Sequence, residues 1–239
     1  MEKSLKIKTQ DGKFVYAILN GSISKPLIVI VHGLCGHMNE ALHYNAVRYF
    51  KEKGFSCLRF NLYSWGKDAR KLHQCNLKTH GKDIDTVLKY LKRKGVKKVY
   101  LVGHSYGLPS ILNSERQNVR AIVSWDGSHL PRRTFERLPK INKPKGRIYD
   151  EGYLTIMGES MVREEPIINS DALISKVNSP ILFVTIADGY NLKGAKRMYR
   201  KALGEKRLLI MKGADHNFNN EGKQELLYAA TVNWFKKYV

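Results

Sequence analysis

Ser105 stands in Gly103-His104-Ser105-Tyr106-Gly107, a G-x-S-x-G pattern. The residues before it (99–102) are apolar and β-favouring, and those after it suit a helix, with Pro109 where the first turn has no use for an N–H. A strand that becomes a helix across so few residues must turn tightly. Side chains two positions either side of the serine would collide there, so glycines occupy both places. The serine is driven to the tip of the turn, and the amides that follow it point toward any negative charge forming beside it. This suits a hydroxyl nucleophile. Serine is a poor nucleophile at neutral pH, so it needs a base within hydrogen-bond reach.

Further polar groups stand where other apolar runs stop. The run 27–31 ends at His32-Gly33, 119–124 at Trp125-Asp126-Gly127, 180–186 at Ala187-Asp188-Gly189, and 207–211 just before Gly213-Ala214-Asp215-His216. Ligands of open α/β sheets bind at the carboxyl ends of the strands. Ser105, His32, Asp126, Asp188 and His216 therefore converge on one edge if these runs are parallel strands.

The elements that must position them follow from periodicity. Residues 5–9 and 14–19 flank Asp11-Gly12 and read as a β-hairpin. The run LIVIV at 27–31 suits a central strand buried on both faces. A helix is expected over 39–53, stopped by Gly54, then a strand over 55–60 and an irregular stretch over 61–76. Residues 79–94 carry Ile84, Val87, Leu88 and Leu91 on one helical face. The helix after Ser105 is expected to reach about residue 117, and further helices are expected at 193–203 and 226–238. From 128 to 179 the alternation lapses, apart from a short extended piece at 152–157, and this stretch reads as an inserted cap within a single domain, 1–239. Alternating strands and helices imply a mostly parallel sheet covered by helices on both faces.

The chain has 239 residues and is 43% hydrophobic, enough for one sizeable core. Its first residues, MEKSLKIKTQDGKF, hold no long apolar run, so no secretory leader is expected. No stretch nears the roughly 18 apolar residues of a membrane span. Three cysteines without C-x-x-C spacing point to a reduced, cytoplasmic protein with neither a disulfide framework nor a cysteine zinc site. The net charge of +21 is spread along the chain, which favours solvated faces over a specific nucleic-acid surface.

The order serine, acid, histidine on successive strand ends resembles the α/β-hydrolase family, carried by GHSYG at Ser105, HGLCG at His32, IADG at Asp188 and GADHNF at His216. The resemblance covers nearly the whole chain. His32 to His37 and Arg59-Phe60-Asn61 look closest to small cinnamoyl- and feruloyl-esterase-like and serine aminopeptidase/lipase-like carboxylesterases. The likeness stops at Tyr63-Ser64-Trp65-Gly66-Lys67-Asp68, where those enzymes usually carry a Gly-x-Gly-x-Ser loop, so substrate preference does not carry over. His216 is assigned as the base for Ser105 and Asp188 as the acid that orients it. Asp126 is the competitor, because some members carry the acid one strand earlier; the losing aspartate would be a cap or a loop hydrogen-bonder. Oxyanion donors are the backbone N–H of Tyr106 and, by the resemblance, that of Leu34.

His32 reads as a brace for the oxyanion loop, His104 as packing beside the turn, and Cys35 as a small buried or half-buried thiol. Tyr149, Tyr153, Met157 and Met161 could line an acyl pocket or pack the cap core. The expected activity is serine carboxylic-ester hydrolysis through an acyl-enzyme. A lactonase, thioesterase, peptidase or acyltransferase, or a non-catalytic ligand receptor, are the alternatives. No metal or organic cofactor is indicated, and the expected partner is a small ester.

Overall fold

The computed structural model describes residues 2–129, 140–143, 146–150, 156–164 and 169–239. Its frame is an eight-stranded sheet. In chain order the strands are β1 (Glu2–Lys8), β2 (Phe14–Asn20), β3 (Leu27–Val31), β4 (Ser56–Phe60), β5 (Val99–His104), β6 (Val119–Trp125), β10 (Ile181–Ile186) and β11 (Lys206–Met211). Across the sheet they lie β1-β2-β4-β3-β5-β6-β10-β11. The β1–β2 hairpin and the β2–β4 pair are antiparallel, and the remaining pairs are parallel.

The central strands are buried on both faces, and alternate residues serve opposite layers. Leu27, Val29 and Val31 share a core with Ile84, Val87 and Leu91 of α2 (Leu77–Arg93), with Leu108 and Ile111 of α3 (Gly107–Leu112), and with Met198 of α6 (Leu192–Lys201). Ile28 and Ile30 pack against Ala46, Val47 and Phe50 of α1 (Ala41–Glu52), and against Leu227, Val232 and Phe235 of α7 (Lys223–Lys236). This two-sided cover fixes the strands, and through them the loops at their carboxyl ends.

Two helices differ from their expected bounds for local reasons. Helix α2 starts two residues early because the Asn76 side chain accepts the Thr79 N–H at 2.8 Å and caps the first turn. Helix α3 stops at Leu112 instead of running to about 117; Arg116 and Asn118, just beyond, take positive φ angles of 54° and 62°, which a helix does not admit.

Between β6 and β10 the described residues form a separate three-stranded antiparallel sheet, β7 (Lys140–Lys143), β8 (Gly146–Asp150) and β9 (Ile156–Gly158), followed by α4 (Glu159–Glu164) and α5 (Ser170–Ile174). Of the extended piece expected at 152–157, residues 152–155 lie outside the described residues. Met157, Met161 and Val162 bury themselves with Cys75, Leu77 and Tyr106, against which Leu34 is also packed. Among the described residues no helix is long and apolar enough to cross a membrane.

Candidate active site

The serine turn is built as its glycines require. Ser105 has φ 51°, a left-handed value that side chains other than glycine seldom adopt, held by its N–H donating to the Trp125 carbonyl at 2.9 Å and its own carbonyl accepting the Ser128 N–H at 2.9 Å. A Cβ on Gly103 would lie 2.9 Å from the Gly107 carbonyl carbon, and one on Gly107 would press into the Val31 carbonyl. Either substitution would force the elbow open. The loop after β3 also closes on it, since a Cβ on Gly33 would be 3.1 Å from the Ser105 Cβ.

His216 Nδ1 donates to Asp126 Oδ2 at 2.6 Å. The acid found against the histidine is therefore Asp126, at the end of β6, and the expectation that placed Asp188 there is corrected. Asp188 lies in a turn, is exposed, and makes no hydrogen bond or ion pair among the described residues. Asp126 is fully buried and wrapped by donors. Thr185 Oγ1 donates to its Oδ1 at 2.9 Å, and Asn191 Nδ2 donates to its Oδ2 at 3.2 Å and to its backbone carbonyl at 2.8 Å. Burial alone would raise the Asp126 pKa, but the hydrogen bonds from His216, Thr185 and Asn191 and the His216 charge outweigh it and hold the group below its ordinary value. The carboxylate is thus ionised at neutral pH.

With its hydrogen on Nδ1, His216 presents a lone pair at Nε2. The Tyr190 hydroxyl lies 3.4 Å from that nitrogen. Tyr190 is 65% exposed and follows β10 in the loop that also carries Asp188. Tyr190, Asn191 and Thr185 were missed in the sequence. Their one signal is their place at a strand end, and nothing in their types sets them apart there.

The buried histidines act as braces. His32 Nε2 accepts the Leu62 N–H at 3.0 Å, which leaves its proton on Nδ1 for the Gly33 carbonyl at 2.7 Å. It pins the loop after β3 to the stretch after β4, and burial pushes its pKa down to about 4. His104 Nε2 donates to the His216 carbonyl at 3.0 Å and so supports the His216 loop; burial, with the neighbouring His216, brings its pKa to about 4. Leu34 follows Gly33 in the turn closed by the Gly36 N–H on the Gly33 carbonyl. Cys35 is exposed with φ 63°, which corrects the expectation of a buried or half-buried thiol. Met157 and Met161 are buried beside Tyr106, whereas the Tyr149 side chain and the whole of Tyr153 lie outside the described residues.

The family described as alpha/beta hydrolase fold matches residues 26–107, the segment from β3 through the serine turn. Solved structures match over the full length. The ferulic acid complex of Est1E from Butyrivibrio proteoclasticus is 22% identical, with 98% of each chain covered and a TM-score of 0.84. The chain has the α/β-hydrolase fold. An esterase domain of a Rhodothermus marinus protein shares that fold at 17% identity and TM-score 0.78, over 100% of this chain and 99% of that one. Dienelactone hydrolase from Anabaena variabilis does so at 14% identity and TM-score 0.74, over 100% and 98%. No curated protein sequence matches the chain.

Proposed function

We propose that this protein is a serine hydrolase that cleaves small to medium carboxylic esters through an acyl-enzyme on Ser105. One observation carries the reading: the Nδ1 bond from His216 to buried Asp126, which leaves Nε2 as an acceptor on a histidine whose carbonyl is held by His104, the chain neighbour of a serine at positive φ. The acid of the triad is Asp126.

The chemistry follows from these positions. The substrate carbonyl carbon lies against Ser105 Oγ with its leaving oxygen toward His216 Nε2, where the Tyr190 hydroxyl now sits. Ser105 Oγ attacks the carbonyl carbon as its proton passes to His216 Nε2, and Asp126 stabilises the imidazolium. The tetrahedral oxyanion accepts the Leu34 and Tyr106 N–H groups; losing one such donor costs about two to three orders of magnitude in rate. His216 returns the proton to the leaving alcohol, and water then repeats the sequence on the acyl-enzyme.

The 128–179 segment serves as the cap, with Met157 and Met161 beside Tyr106 and Leu34 as the wall against the acyl chain. Esters fit this site better than a receptor role, which has no need of an oriented base. Three cysteines, an odd number without C-x-x-C spacing, support a reducing, cytoplasmic setting.

The test is hydrolysis of p-nitrophenyl esters, from acetate upward, by wild type and Ser105→Ala in parallel. Turnover that disappears in a folded variant is expected, with a chain-length optimum set by the cap. A folded wild type inactive on every ester would overturn the ester reading, and turnover surviving in Ser105→Ala would overturn the nucleophile.

A further inference from the structure

Behind the serine turn stand three side chains that the ester reaction does not use. Glu40 precedes α1, His43 lies in its first turn, and His104 ends β5 one residue before Ser105. One potential ligand atom from each lies within 4.8 Å of the other two.

Neighbouring oxygens settle the protons. His43 Nδ1 faces the His37 carbonyl and the Glu40 carboxylate, each at 3.3 Å, so it bears hydrogen. His104 Nε2 faces the His216 carbonyl, so it bears hydrogen too. The lone pairs are then on His43 Nε2 and His104 Nδ1. Both atoms are buried, in residues 0% and 5% exposed, and neither has a hydrogen-bond partner among the described residues. A buried acceptor left without a partner is costly, so two in one cluster with a carboxylate want a cation. Among the described residues no lysine or arginine pairs with Glu40, whose ion-pair contact is with His43.

We propose that Glu40, His43 and His104 form a binding site for a divalent metal ion, with zinc the best match. Two imidazole nitrogens and a carboxylate oxygen at about 2.0–2.2 Å, with a fourth position for water, are a zinc-type donor set. Imidazole ligands disfavour magnesium and calcium. Glu-x-x-His spacing puts Glu40 and His43 one helical turn apart, on the same side of the chain. The Glu40 carboxylate now sits on the Nδ1 edge of His43 and swings round to share an ion with Nε2, and its 36% exposure gives it that room and gives an ion a way in.

The site lies under the oxyanion loop. A Cβ on Gly36 would be 2.8 Å from both Glu40 carboxylate oxygens, and one on Gly33 would be 3.6 Å from His104 Nδ1. A bound ion would tie this loop to His104, and through it to the carbonyl of His216. The three ligands are positioning residues, because none touches substrate.

The inference does not depend on the esterase reading, since binding is measured without substrate. Chelator-treated, full-length protein is titrated with zinc by calorimetry and by thermal unfolding. One zinc per chain and a raised Tm are expected in wild type. Affinity should fall at least about tenfold in Glu40→Gln and in His43→Gln, and should not change in Cys35→Ser, which removes the exposed thiol. If His43→Gln fails to fold, Glu40→Gln decides. No stoichiometric uptake by wild type, wild-type affinity in Glu40→Gln, or loss of binding in Cys35→Ser would each overturn the site.

Discussion

The strand ends present a floor and a rim. On the floor, His32, His104 and Asp126 are buried, and each is held by neighbours through at least one polar atom: Leu62 and Gly33 for His32, the His216 carbonyl for Nε2 of His104, and Thr185, Asn191 and His216 for Asp126. On the rim, Cys35, Asp188 and Tyr190 are exposed. Asp126 and Asp188 make the contrast sharpest. Both follow an apolar strand and precede a glycine, yet one is wrapped by donors and the other faces solvent. An aspartate orients a catalytic imidazole only if its own carboxylate is held still and dry, which the floor provides and the rim does not.

The largest effect that separates the two regions is on stability in acid. His32 and His104 have pKa values brought to about 4 in the fold, and burial likewise brings His80 to about 3. In the unfolded chain these groups take up protons below about 6.5. Between those values the unfolded state binds more protons, so stability is full above about pH 6.5 and falls as the pH drops toward 4. Each fully buried histidine is expected to contribute on the order of 3 kcal/mol to that loss. Denaturant unfolding at pH steps from 7 to 4 measures it, and a stability that stays level to pH 4.5 would erase the distinction between floor and rim.

The smallest effect belongs to the rim. Tyr190→Phe removes a hydroxyl that competes for His216 Nε2. One exposed hydrogen bond is worth about 0.5–1.5 kcal/mol, so kcat/KM on a p-nitrophenyl ester should rise by about two- to tenfold, with Tm unchanged. A fall beyond tenfold would move Tyr190 into the machinery.

The fold was legible because its signals are local. Strand β3 was expected with its observed bounds, Leu27–Val31, because five consecutive apolar residues between a proline and a His-Gly pair admit few other readings. Ser105 could be located from its glycines, whose missing side chains are a steric requirement written in the sequence. The acid could not. Trp125-Asp126-Gly127 and Ala187-Asp188-Gly189 carry the same local message, and what separates them is packing across the sheet: Thr185 and Asn191, some 60 residues further on, reach back to Asp126. The preference for Asp188 came from where relatives carry their acid, not from any property of the residue. The cluster of Glu40, His43 and His104 was equally invisible, because it forms only when α1 docks beside β5.

The measurement that tests the account most directly compares Asp126→Asn and Asp188→Asn as folded proteins, by kcat/KM on the best p-nitrophenyl ester. The account predicts a fall of about four orders of magnitude for Asp126→Asn, the size expected when a triad histidine loses its orienting carboxylate, and a change within about twofold for Asp188→Asn. Equal losses in the two variants, or the larger loss in Asp188→Asn, would contradict it.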